Sequence, residues 1–299
     1  MAKTKVKWYQ KAKTYRYLIQ GVVFLFVLEL ILKIFPSSDV TVTAEAYCPF
    51  GGFSGLYEFI RTGGQTTLTH VNTSNIILFG LIVLITLLLR SGFCSWICPF
   101  GTLQDIVRWF GKKIGGLSLI KPINKRYRRL IKENKSVLSI IDKYARYIKY
   151  GVLAWAILSA AYYTHLEYRE YDPFASILMI VEHEISTGLY ILIGVLVLAL
   201  FIDRPWCKYA CPLGATIGLI GKLSPTRVNR NEELCTGCNL CSKSCPMNID
   251  VANQDYVKSA DCNHCLECID SCPTKGALDL RVILPGKNSN QPQIVNIKE

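Results

Sequence analysis

The chain has 299 residues, 51% of them hydrophobic, and a formal net charge of +12. That apolarity excludes an intrinsically disordered chain, and the basic residues lie between apolar segments rather than in one stripe, which argues against nucleic-acid binding. A mean hydropathy of +0.26 with a strong positive excess fits a membrane protein with basic cytoplasmic loops.

Residues 1–16 form a basic N-terminus with Lys3, Lys5, Lys7, Lys11, Lys13 and Arg16. Four apolar segments follow, at 17–35, 76–89, 150–163 and 189–202. The second and fourth are short against a span of about 20 residues. The cysteine-bearing tails at 92–100 and 205–213 are expected to make up the difference at the membrane surface. Ala44, Glu45 and Ala46 have the small-x-small look of a cleavage site, but they lie far beyond the apolar stretch, so an uncleaved first helix is expected. The loop at 102–149 is rich in Lys and Arg, whereas 36–74 holds only Arg61 and 165–184 only Arg169. The excess of positive charge inside predicts a multi-pass protein of the inner (cytoplasmic) membrane, both termini cytoplasmic. Val137, Leu138, Ile140 and Ile141, set among charges in the basic loop, predict an amphipathic helix on the inner leaflet or an ordinary solvated loop. Glu29 is the one carboxylate well inside an apolar segment, read either as a proton-uptake group or as the i,i+4 partner of Lys33.

Two six-residue elements repeat. Cys94 and Cys98, followed by Pro99, form C-x3-C-P after the second apolar segment, and Cys207 and Cys211, followed by Pro212, form another after the fourth. This predicts two repeated hairpins whose four thiols converge. Four such thiols suit a third iron–sulfur centre, a copper(I) or zinc site, or a pair of redox dithiols; buried structural cysteine is the plain alternative. Cys48, in the first outer loop, is a further candidate ligand without a sequence partner among the outer loops.

The remaining eight cysteines carry the strongest signal. Cys235, Cys238, Cys241 and Cys245 are spaced C-x2-C-x2-C-x3-C before Pro246, and Cys262, Cys265, Cys268 and Cys272 repeat the spacing before Pro273. That run holds 4Fe–4S clusters in bacterial ferredoxins, the fourth cysteine of each run ligating the other cluster. One cluster is then assigned to Cys235, Cys238, Cys241 and Cys272, the other to Cys245, Cys262, Cys265 and Cys268. A zinc site or a disulfide framework is the competing reading. Thr236, Gly237, Ser242 and Ser244 are small enough to let backbone N–H groups approach the sulfurs. The four histidines, His70, His165, His183 and His264, are not paired inside helices, which excludes a bis-histidine haem; the first three are candidate proton acceptors for quinol or plain surface residues. No nucleotide-binding or hydrolytic motif is present.

The two C-x3-C-P motifs and the eight ferredoxin cysteines, together with Asp172, Pro173 and Phe174, resemble the NapH-type family of membrane 4Fe–4S proteins. Related parts occur in nitrous-oxide-reductase regulatory proteins and in a cupric reductase of oxidase assembly. The resemblance implies electron transfer between a quinone pool or a ferredoxin and a partner redox protein. That partner would be an outer-face flavoprotein or cytochrome, or a cytoplasmic ferredoxin-like protein, in a hetero-oligomeric complex. Any flavin belongs to a partner. Metal reduction with copper at the C-x3-C-P thiols, and redox-sensing regulation, are the rival functions. The expected fold is a mostly α membrane protein: four transmembrane helices within 17–230, a small α+β two-cluster ferredoxin domain at 231–280, and a polar tail at 281–299.

Overall fold

Runs of Leu, Ile and Val with few breakers give this chain its helices, and the breakers that do occur decide where each one stops. The computed structural model describes residues 12–32, 52, 70–114, 137–163, 168–181 and 187–282. In chain order the helices are α1 (Ala12–Leu32), α2 (His70–Leu89), the one-turn α3 (Gly92–Trp96), α4 (Pro99–Ile114), α5 (Val137–Ala145), α6 (Ile148–Tyr163), α7 (Tyr168–Tyr171), α8 (Pro173–Val181), α9 (Thr187–Phe201), the one-turn α10 (Pro205–Tyr209) and α11 (Pro212–Ile220). Strand β1 (Thr226–Arg230), α12 (Leu240–Ser244), α13 (Glu267–Asp270) and strand β2 (Leu278–Val282) complete the order.

The four expected membrane-spanning helices are not found. Among the described residues no helix is long and apolar enough to cross a membrane. The reasons are local. Helices α6 and α9 have 16 and 15 residues, lengths of about 24 and 22 Å at 1.5 Å per residue, against a hydrocarbon core of about 30 Å. Helix α2 opens on His70, Asn72, Thr73, Ser74 and Asn75, so only its later part is apolar. Helix α1 buries Arg16 and Gln20 in polar contacts. Nor do the cysteine-bearing tails lengthen α2 and α9. Arg90 (φ 57°) and Arg204 (φ 50°) adopt the left-handed conformation and break the helices, so each tail folds as a separate turn. The observed class is mostly helical with a ferredoxin region, and its only strands among the described residues are β1 and β2.

The chain divides into two compact units. One comprises Met1–Gly21, Leu84–Cys98 and Ile217–Glu299. Its centre is the antiparallel pair β1–β2, with Val228 opposite Leu280. Val228, Met247, Ile249, Val251, Val257 and Leu278 form a small apolar core into which Cys241 is packed. Several other cysteines press against that core, so thiols supply much of what a larger hydrophobic interior would otherwise provide.

The other unit comprises Val22–Val83 and Pro99–Thr216. Here α4 lies along α9. Gly111 permits the approach: a Cβ there would sit 2.2 Å from the Leu200 carbonyl oxygen. Charge then fastens the pair. Arg204 makes a two-point contact with Asp105 at 2.9 and 2.5 Å, and Arg108 reaches Asp203 at 3.0 Å. Asp172 caps α8, accepting the Phe174 N–H at 3.2 Å. Burial pushes its pKa up from 3.8 to about 6, opposed by hydrogen bonds from Phe174, Tyr168 and Ala175. A carboxyl with a raised folded pKa favours folding below its unfolded value, and that advantage is lost as pH rises through 6. Asp172→Asn keeps the cap and removes the buried charge. Its stabilisation relative to the parent is expected to grow between about pH 4 and 6 and to level off above pH 7, at about 3 kcal/mol at most. Denaturant titrations across that range measure it, and a pH-independent difference would contradict the assignment.

Helix α5 does form over the stretch expected to be amphipathic, with Ile140 and Ile141 exposed. Glu29 is exposed on α1, so no burial argument attaches to it. Cys48, His165, His183, Lys33 and residues 115–136 of the basic loop lie outside the described residues.

Candidate cluster-binding site

The two cysteine runs fold as near copies. Gly237 and His264 occupy the same place in each run, and both have positive φ, 66° and 50°. Asn239 and Leu266 repeat the match at 56° and 59° and open α12 and α13. These left-handed residues curl each loop so that backbone N–H groups face the preceding sulfurs. The N–H of Gly237 stabilises the Cys235 thiolate, that of Ser242 Cys241, that of His264 Cys262, that of Glu267 Cys265, that of Ile269 Cys268 and that of Thr274 Cys272. Gly237 and Ser242, expected to serve this way, do so. Ser244 does something else: its Oγ meets Ser271 Oγ at 2.7 Å, and each Oγ also lies 3.0 Å from a carbonyl oxygen of its own run, that of Cys241 or Cys268, so the two hydroxyl protons are shared among three contacts. This serine pair marks the local two-fold between the runs.

The spatial grouping of the thiols crosses the sequence grouping. Cys235, Cys238, Cys241 and Cys272 line one recess, together with Arg230, Thr236, Asn239, Ala252, Ala277 and Leu278. The charge of each of Cys235, Cys238 and Cys241 is felt at Cys272. Cys245, although in the first run, acts instead on Cys265 and Cys268. Cys268 also feels Cys262, which completes the second group.

The groups differ in setting. Cys238 is exposed, and Cys235 has its pKa lowered, by the Gly237 N–H and then by Arg230. In the second group burial raises Cys262, pushes Cys265 up to about 12 and drives Cys268 higher still. Thiols so buried are protonated unless a metal displaces their protons. The soft sulfur donors, the N–H groups aimed at them and the recess fit a thiolate-bound cluster. A single zinc ion fits poorly: among the described residues no three His, Cys, Asp or Glu side chains close on one point. The described cysteines are all free thiols, which sets aside a disulfide framework among them.

The comparisons with known proteins follow this geometry. Residues 227–273 match a 4Fe-4S dicluster domain, and residues 71–116 and 187–231 match a 4Fe-4S binding domain. YccM of Escherichia coli, described by its name as an electron transport protein, is 32% identical over 82% of this chain and 65% of its own length. The ferredoxin-type protein NapH of Haemophilus influenzae is 25% identical over 82% of this chain and 76% of its own. The chain belongs to the NapH-type family of 4Fe–4S ferredoxins. The methylamine utilization ferredoxin-type protein MauN of Methylorubrum extorquens is a further relative, 26% identical over 70% of this chain and 69% of its own. The chain thus spans less than two thirds of YccM. No solved structure matches. The matched family models are of 4Fe–4S binding domains.

The segments matched as a repeat in this family member contain the C-x3-C-P motifs, and the repeat is visible in the backbone. In the first motif the N–H of Cys98 donates to the Phe93 carbonyl at 3.0 Å, and in the second that of Cys211 donates to Trp206 at 2.9 Å. Cys94 and Cys98 lie in the unit of the ferredoxin runs, Cys207 and Cys211 in the other.

Each motif is anchored through its middle residues. Ser95 Oγ donates to Asn263 O at 2.5 Å and Trp96 Nε1 to His264 O at 3.0 Å, which ties the first motif to the second ferredoxin loop. Lys208 Nζ and Tyr209 OH both donate to Asp142 Oδ1 on α5. The sulfurs of the second motif accept hydrogen bonds from Gln104 Nε2 (to Cys207, 3.4 Å) and the Gly214 N–H (to Cys211, 3.2 Å).

Sequence reasoning missed the side chains that hold the second ferredoxin loop. Arg16 donates to Cys265 O at 3.2 Å and pairs with Glu267 at 2.7 Å. Arg90 donates to the carbonyls of Val257, Lys258 and Ser259 at 2.7, 3.1 and 2.6 Å. His264 is buried beside it, its pKa lowered to about 4 by burial and then by the Arg90 charge. These contacts join residues far apart in sequence and leave no periodic trace.

Proposed function

We propose that this chain binds two 4Fe–4S clusters, one at Cys235, Cys238, Cys241 and Cys272 and the other at Cys245, Cys262, Cys265 and Cys268. Such clusters accept and release one electron at a time. The observation that carries the reading is the crossed grouping: Cys272 faces the first run and Cys245 the second. In this reading the chain's own residues hold the sulfurs, direct N–H groups at them and exclude water from the second site. The exposed first site receives the soluble redox partner. Electrons pass toward the C-x3-C-P segment, whose Ser95 and Trp96 sit on the second loop, and onward to a quinone or a partner redox protein.

The reading places this work at the inner membrane. Two features support that: the net charge of +12 and large apolar residues on helix surfaces, including Leu25 (64% exposed), Ile77 (66%), Leu158 (68%) and Tyr190 (70%).

The test is iron and acid-labile sulfide content of anaerobically purified protein, with EPR during stepwise reduction. About eight irons and two interacting signals are expected. About four irons would overturn the two-cluster reading. A larger content, with an extra signal lost in Cys98→Ala and Cys211→Ala, would extend it to a third centre.

A further inference from the structure

Arg90 is a buried cation whose hydrogen-bond partners among the described residues are neutral backbone carbonyls. Its exposure is 1%, and its nitrogens reach three backbone carbonyls and, among the described residues, no carboxylate. Its Nε has no hydrogen-bond partner among the described residues. The other guanidinium at this loop is different: Arg16 is neutralised by Glu267. The other charged group felt at Arg90 besides sulfur is Arg227, another cation, and the imidazole of His264 beside it is kept neutral. A buried charge without a counter-charge costs several kcal/mol.

The chain also accepts backbone strain to put an arginine here. Arg90 stands in the left-handed conformation just after α2, where glycine or asparagine is usual. The end of α2 is fixed on both sides: Thr226 Oγ donates to Leu88 O at 2.5 Å, and Arg90 reaches across to the 257–259 carbonyls. Ser259 O, one of those acceptors, also takes the Cys262 N–H at 3.2 Å. The guanidinium is therefore locked to the strand of chain that presents Cys262, and the charge of Cys262 is felt at Arg90.

We propose that Arg90 is the counter-ion of the anionic centre at Cys245, Cys262, Cys265 and Cys268, and that its charge makes this the electron-accepting site of the pair. The inference rests on the two-cluster reading above. Reduction adds one electron and no proton, and it makes a thiolate-bound cluster more negative by one charge. A fixed cation in a low-dielectric setting stabilises that state more than the oxidised one. At the first site Arg230 hydrogen-bonds the Cys235 sulfur, but its charge is shared with Glu232, which it meets at 2.6 Å, whereas Arg90 meets no carboxylate among the described residues.

The experiment is a mediated redox titration of the full chain followed by EPR, on the parent, Arg90→Gln, Arg90→Lys and Arg16→Gln/Glu267→Gln. Cys272→Ala assigns the two signals. In Arg90→Gln the second site's one-electron equilibrium is expected to weaken at least tenfold, a fall of about 59 mV, while the first site's midpoint holds. Arg90→Lys should recover most of the shift, and the neutralised Arg16–Glu267 variant should show little. Unchanged midpoints in Arg90→Gln would overturn the proposal. Loss of the second signal in both Arg90 variants would also overturn it, since Arg90 would then be a clamp for the loop. A parent protein with one cluster would instead overturn the two-cluster reading itself.

Discussion

Cys272→Ala is expected to empty the site of the first cysteine run and to spare that of the second, to which Cys272 belongs in sequence. Its thiol lines the recess of Cys235, Cys238 and Cys241. With one of four ligands gone, that site loses its cluster, and roughly half of the iron and labile sulfide goes with it. The mirror experiment is Cys245→Ala, which should strip the buried site instead. There the consequence is larger. Cys265 is buried and Cys268 lies against the apolar core, both with thiol pKa values raised by burial. Removing the group they hold couples to folding of the region, as in other small metal-bound domains. Cys245→Ala should therefore lower the unfolding temperature more than Cys272→Ala. Iron analysis and EPR on the pair decide the wiring. If Cys272→Ala lost the second run's signal, each run would hold its own cluster and the crossed assignment would fail.

The crossed grouping of the thiols was legible because it depends on local spacing. Eight cysteines in two identical runs specify two loops, and the three-residue gap before Cys245 and Cys272 carries each of these thiols across to the other loop. The C-x3-C-P repeat was legible for the same reason, and the matched hydrogen bonds of Cys98 and Cys211 reflect it. The membrane spans were misread because an apolar run was counted without its breaks. The run at 76–89 continues in sequence into Gly92 and Phe93, yet the chain turns at Arg90 into the left-handed region. No hydropathy window registers one residue's φ. Arg16, Arg90, Ser95 and Trp96 stayed hidden because each acts on a backbone carbonyl some 170 to 250 positions away in the chain. Helix α5 was half legible: its apolar residues announced a helix, but Asp142, its inward-facing anchor, read as one more charge in a basic loop.

That anchor supports the second large expected effect. Asp142 receives Lys208 and Tyr209 from the second C-x3-C-P motif and Arg146 from its own end of the chain at 2.5 Å. Lys208 is fully buried, and burial followed by Arg146 lowers its pKa. Burial alone would raise Asp142, but Lys208 beside it, with hydrogen bonds from Lys208 and Tyr209, holds it below 3.8. The carboxylate's contribution is thus present above its unfolded pKa and lost as pH falls through the lower folded value. Asp142→Asn leaves Lys208 buried without its hydrogen-bonded counter-charge, with Asp203 only a weaker influence, and a loss of about 3–5 kcal/mol is expected. Because Lys208 and Tyr209 lie between Cys207 and Cys211, the loop itself should open, and both thiols should react faster with a maleimide. The double variant Asp142→Asn/Lys208→Met removes the stranded charge as well and should recover most of the stability. Unfolding midpoints and labelling rates on the single and double variants test this together. A single variant that unfolds with the parent, its thiols no more reactive, would show that the motif is held by its backbone turns alone.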